Sequence, residues 1–206
     1  MPATVDARLP LSFLEAVRTV DTPDKADLEA EYVQELRNKR LGLSDTVYAQ
    51  IRRYSDAVKR SQRTPHDEAV ALARLVGRRP DAEAVFRAAG RHLAMDAYLT
   101  IAGTTRRVLL VLPGFVSRPL ALRQVRRVSA RYFNGVLTRS GSSVLLLVPE
   151  SVTLEAAPRS AGCAYYEAGL RELLRLLIGG VGAVEHVRCA DRGEGTCEWR
   201  ADWRGR

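Results

Sequence analysis

All three cysteines of this chain fall in one stretch near its C-terminal end, and that stretch constrains the fold more than any other. Residues 162–203 read GCAYYEAGLRELLRLLIGGVGAVEHVRCADRGEGTCEWRADW. Cys163 opens an apolar helical run, Cys189 closes a short β-like run, and Cys197 opens the next one after the turn-forming string Asp191 to Thr196. Gly193 and Gly195 in a polar loop between two β-branched or aromatic runs predict a hairpin, which sets Cys189 and Cys197 opposite each other. A structural zinc takes sulfur and imidazole nitrogen in a closed tetrahedral set, and a helix start carrying Cys163 can complete that set from the layer above. Cys163, His186, Cys189 and Cys197 are therefore a candidate Cys₃His site. One detail resists. Strand alternation places Glu185, Val187 and Cys189 on one face and His186 on the other. A bulge or strong twist is needed to turn His186 inward, and Glu185 is the alternative oxygen ligand.

The same residues are compatible with two plainer arrangements. Cysteine is among the most buried residue types, so three core thiols without metal would satisfy the pattern. A Cys189–Cys197 disulfide also fits the hairpin. The odd cysteine count and the absence of a signal-peptide pattern weigh against it, and point to a reducing, cytoplasmic setting.

The order of Cys163, an apolar helix with Gly169, the exit at Gly179-Gly180, Cys189, a Gly-bearing turn, Cys197 and an aromatic strand resembles the C-terminal half of the 4-vinyl reductase domain. The fold of that family is similar to TRAPP trafficking subunits, and its members include effector-sensing domains of bacterial aromatic-responsive activators. In the sensory members the zinc ligands are Cys, Glu, Cys and Cys, whose spacing falls here on Cys163, His186, Cys189 and Cys197. His186 stands where the family has Glu, and histidine is an equally good zinc ligand. The resemblance spans residues 45–203 and is specific over 161–199; upstream it rests on helix order and Ala89-Gly90-Arg91. It implies a structural Zn²⁺ and a homodimer. It also implies either a small hydrophobic or aromatic ligand sensed on behalf of a protein partner, or a ligand-free TRAPP-like scaffold. The vinyl-reductase members add a third expectation, a role in tetrapyrrole metabolism.

At 206 residues and 46% hydrophobic, the chain can bury one sizeable core. No run approaches the length of a membrane span. Residues 1–44 read as an N-terminal helical extension and 45–206 as an α+β domain. Residues 1–45 hold nine acids against six Lys or Arg, in a chain of net charge +8. Thr22-Pro23-Asp24 reads as a helix start, with a helix to Arg40. Ser44 caps a helix carrying Val47, Tyr48, Ile51, Tyr54 and Val58. A second helix is expected from a Thr64 cap with Pro65 in its first turn, leaving His66 solvated. A third runs from Asp81 to about Ala102 with Val85, Phe86, Ala89, Leu93, Met95 and Leu99 on its apolar face. Gly90 lies inside it and predicts close approach of another element. Residues 107–112 fit a strand or a helix. After Pro119 comes an amphipathic helix with Leu122, Val125, Ser129, Tyr132, Phe133 and Val136 inward. Four strands then follow, over 143–148, 151–156, 183–190 and 196–203. The expected fold is α+β, with helices on one face of a roughly four-stranded antiparallel sheet.

No acid occurs between Asp96 and Glu150, where eight arginines do. Such a block makes a positive surface. Without zinc-finger spacing, a helix-turn-helix glycine turn or an aromatic ladder, nucleic acid is not the expected partner, while a phosphate-bearing small ligand is compatible. The chain has no nucleophile elbow or phosphate loop, and a fully protein-coordinated zinc has no open position for water. A binding module is thus expected rather than an enzyme. Tyr132, Phe133, Tyr165 and Tyr166 are the candidate ligand-pocket residues, each equally suited to ordinary core.

Overall fold

The structure, a computed structural model, describes residues 3–22, 42, 44–179 and 183–202. The helix expected up to Arg40 lies outside the described residues. Among those described, seven α-helices and six strands follow one another: β1 (Thr4–Asp6), α1 (Arg8–Asp21), α2 (Asp45–Lys59), β2 (Arg63–Pro65), α3 (His66–Gly77), α4 (Ala82–Leu99), α5 (Gly103–Val111), α6 (Gly114–Tyr132), β3 (Val136–Ser140), β4 (Ser143–Val148), α7 (Ala164–Ile178), β5 (Val184–Arg188) and β6 (Cys197–Asp202). No helix among them is long and apolar enough to cross a membrane.

The fold is α+β, as the pattern predicts. β3, β4, β6 and β5 lie side by side in that order, every pair antiparallel. Alternation sorts their side chains. Val144, Leu146 and Val148 of β4 are buried, as are Cys197, Trp199 and Ala201 of β6, while the residues between them are partly or fully exposed. The register places Val148 opposite Cys197 and Leu146 opposite Trp199, so one face is apolar and meets the helices.

Two strand expectations change. Residues 151–156 form turns: Ser151 Oγ accepts from the Thr153 amide, and Leu154 and Ala156 donate back to the carbonyls of Ser151 and Thr153. Short hydroxyl side chains bonding to nearby backbone turn a chain that composition alone reads as extended. The fourth strand is β3 instead. Asn134 at φ 52 ends α6, and Val136, expected on that helix's inner face, starts the strand 55% exposed. Residues 107–112 fall mostly within helix α5. Pro65 caps α3 from outside, because Thr64 and Pro65 pair with Val5 and Thr4 in a second, two-stranded sheet. His66 is consequently not solvated: its side chain is 17% exposed, and its Nε2 is buried without a hydrogen-bond partner. Met95 and Leu99 face solvent rather than the core.

The Ser44 cap forms as expected, with its Oγ accepting from the Val47 amide at 3.3 Å. α7 packs against β5 and β6, α4 packs on α7, and α1 packs on α4. Within the segment read as an extension, α1 buries Leu9, Phe13, Ala16 and Val17 in the same core as the sheet. Arg79 closes this layer from the edge, donating to both Asp21 carboxylate oxygens (2.9 and 2.6 Å) and both of Asp81 (2.8 Å each). The α4–α7 crossing depends on two glycines. A Cβ on Gly90 would lie 2.1 Å from the Tyr165 carbonyl oxygen, and one on Gly169 would lie 3.2 Å from the Gly90 carbonyl oxygen, besides meeting Phe133 Cε1 at 2.5 Å. The close approach predicted from Gly90 is thus with the helix that follows Cys163.

Candidate metal centre

Three separate pieces of chain deliver the four donors. Cys163 ends a 3₁₀ turn, Pro158–Cys163, and stands at the N-terminus of α7. Getting there requires a tight path. Arg159 and Ser160 adopt φ 55, and Gly162 lies so close to Thr153 that a Cβ would sit 2.5 Å from its carbonyl oxygen. The preceding loop is held on α7 by the Val152 amide, which donates to the Tyr166 hydroxyl at 3.2 Å. Cys197 begins β6, and Cys189 follows the end of β5.

His186 and Cys189 come to share a face through a break in pairing that follows His186. His186 is paired with Trp199, but Arg188 is paired with Glu198, so two residues advance on β5 against one on β6. This is the bulge that the odd His186–Cys189 spacing requires: with one extra residue accommodated, both side chains point inward. Glu185 points outward and accepts from Arg200 at 2.6 Å, so it is not in the cluster. The His186 ring stacks on Trp199, with centroids 4.7 Å apart and planes at 8°.

The hairpin turn is braced by its own polar groups. Glu194 Oε2 accepts from the Cys189 amide at 2.8 Å and from Arg192 at 2.9 Å, while Gly193 and Gly195 take the left-handed conformations that close the loop. Neither Glu194 nor Ser160, whose Oγ lies 3.5 Å from Cys189 Sγ, is singled out by sequence spacing. Glu194 carries a weak signal, an acid inside a glycine turn. Ser160 carries none.

One donor atom from each of Cys163, His186, Cys189 and Cys197 lies within 4.8 Å of every other. Cys163 Sγ and Cys189 Sγ are 3.9 Å apart, and none of the three cysteines is in a disulfide. Zinc–sulfur bonds of about 2.3 Å in a tetrahedron place two sulfurs roughly 3.8 Å apart, so this separation suits a shared ion. His186 Nε2 is buried with no hydrogen-bond partner, a state that metal ligation or a second-shell contact would relieve. The electrostatics already favour a bound cation. Hydrogen bonding from the Cys163 thiol, then from His186 and the Ala190 amide, holds Cys197 well below the usual thiol range. The Ala190 N–H lies 3.4 Å from that sulfur. The Cys163–Cys197 pairing, together with burial, pushes Cys163 the other way. A Cys197 sulfur biased toward its thiolate form, beside two further sulfurs and an imidazole, is a donor set suited to a metal ion. These four residues could hold a metal ion.

The aromatic pocket candidates are placed differently. Phe133, Tyr165 and Tyr166 are fully buried and pack ring to ring. Tyr165 and Tyr166 stand 5.0 Å apart, Tyr165 meets Phe13 at 5.0 Å, and Tyr166 meets Trp199 at 5.0 Å. They fill the space between helices and sheet. Tyr132 is also buried but borders a cavity at the α4–α6 edge. No protein-family model matches the chain, and no curated protein matches it.

Proposed function

We propose that this chain is a non-catalytic small-molecule-binding or sensory module of the 4-vinyl reductase type, held together by a structural zinc ion and acting through a protein partner. The observation that carries the reading is the convergence of Cys163, His186, Cys189 and Cys197 within 4.8 Å, a set that resembles the family's Cys, Glu, Cys and Cys with His186 in the place of Glu. Four protein donors around one ion make a closed set, which is the form of a structural site and leaves no position for substrate or water. The ion would tie the β5–β6 hairpin to the start of α7, and through α7 to α4 at the glycine crossing. A ligand that moved α4 or α6 could therefore be felt at the hairpin. Metal analysis of protein purified without chelator tests this. About one zinc per chain is expected, with loss of the metal on Cys197→Ser and a lower melting temperature after chelation. Metal-free protein of unchanged stability would sink the reading. Native mass spectrometry of the same sample reads the mass of any retained ligand.

A dimeric, TRAPP-like scaffold is the second reading, and exposed apolar side chains on α5 support it. Val111 is 84% exposed and Val108 46%. Sedimentation of the wild type against Val111→Asp distinguishes a dimer formed through that helix from a monomer.

A further inference from the structure

We propose that the cavity between the end of α4, the first turn of α5 and the outer face of α6 binds the phosphate group of a small phosphate ester. It specifies the ligand class of the module proposed above, yet shares no residue with the metal cluster. The cavity has a volume of about 430 Å³, within the range of about 300–1,000 Å³ usual for small-ligand sites. Its walls divide the two parts of such a molecule. Ile101 and Val128 are buried apolar residues suited to an organic body, while Arg127, Arg131, Gln124 and Thr105 supply donors to an anion.

Among the described residues, none that lines the cavity is acidic. Arg127 and Arg131 stand one helical turn apart on α6 and so project to the same side. Arg127 has no ion-pair partner among the described residues. Among the same residues Arg131 pairs with Asp6 at 3.9 Å, with its guanidinium 5.3 Å from the Tyr132 ring centre. One guanidinium without an ion-pair partner among the described residues and one in a loose 3.9 Å pair can clamp an oxyanion together, because the planar fork matches phosphate oxygens in pairs. The first turn of α5 adds to this field: it has no side-chain cap, no acid, and a Gly103 open enough that a Cβ would meet only Arg106 at 4.0 Å. Thr100 is already engaged, donating to the Ala97 carbonyl and accepting from the Tyr132 hydroxyl at 3.2 Å, which fixes that wall.

The test titrates the full chain with pyrophosphate, followed by calorimetry and by amide chemical shifts. Saturable binding is expected, with shifts concentrated at residues 100–105 and 124–132. Arg127→Gln and Arg131→Gln should each weaken binding by roughly tenfold. Both residues are exposed, so the variants should keep the wild-type melting temperature. Arg123→Gln, exposed on the same helix but outside the cavity, should change affinity by less than about twofold. Absence of saturation would overturn the proposal. So would equal losses in Arg123→Gln, the mark of a diffuse field from the whole arginine block. Zinc content measured on the same samples separates the two readings: zinc-loaded protein that ignores pyrophosphate refutes the cavity alone, and zinc-free protein that binds it refutes the staple alone.

Discussion

Gly90→Ala places a methyl group where there is no room for one. The new Cβ would lie 2.1 Å from the Tyr165 carbonyl oxygen and 2.9 Å from the Gly169 amide nitrogen, both backbone atoms of α7. A flexible side chain could swing aside, but a helix backbone must move as a body, so α4 and α7 must separate by about 1 Å to restore ordinary contact. Overpacking of this kind costs about 1–3 kcal/mol, and rigid backbone on both sides argues for about 3. Against that, alanine in a helix interior gains about 1 kcal/mol over glycine. The difference is a net loss of about 2 kcal/mol. In a domain of this size each kcal/mol moves the melting temperature by about 2–4 °C, so a fall of about 4–8 °C is expected. Urea unfolding of Gly90→Ala against Gly103→Ala measures it, since the Gly103 site is open and should lose at most a fraction of that. An unchanged or stabilised Gly90→Ala would refute the close crossing, and with it the coupling of α4 to the cysteine-bearing end of α7.

Two further outcomes follow from the geometry. His186→Ala should weaken zinc binding by at least about a hundredfold, while Glu185→Gln leaves it unchanged, because the register that pairs His186 with buried Trp199 puts it on the inner face and Glu185 pairs outward with Arg200; competition with a chromogenic chelator reads both, and the reverse ranking would overturn that register. The Arg79 guanidinium beside Asp81 holds that carboxyl below its ordinary value, so its stabilisation is fully present above about pH 4 and declines as pH falls through the depressed folded value. Arg79→Ala should then cost about 1–2 kcal/mol near pH 7 and distinctly less near pH 3, by urea unfolding at each pH, and an equal cost at both would show that the bridge is not what Arg79 contributes.

Much of the fold could be read from local pattern because local pattern caused it. Val144, Leu146 and Val148 alternate with half-exposed neighbours, Ser44 precedes a helical period, and each feature acts within a few residues of itself. The misreadings have the opposite character. Nothing near residues 151–156 reports that Tyr166 will take the Val152 amide. Nothing near Thr64 and Pro65 reports that Val5 and Thr4 will pair with them across about 60 positions. The tyrosines read as pocket residues are chemically suited to either lining or filling a space, and only their neighbours decide which.

The candidate site divides along the same line. Residue identity and order alone showed which atoms could serve as donors, predicted that Cys189 and Cys197 meet across a glycine turn, and showed that His186 could join them only through a bulge or a strong twist, since strand alternation is a property of the backbone itself. Whether the bulge forms, whether Cys163 comes within 3.9 Å of Cys189, and whether arginines of α6 face a cavity or bulk water were decided by packing. Those contacts join segments far apart in the chain, so no local pattern can report them.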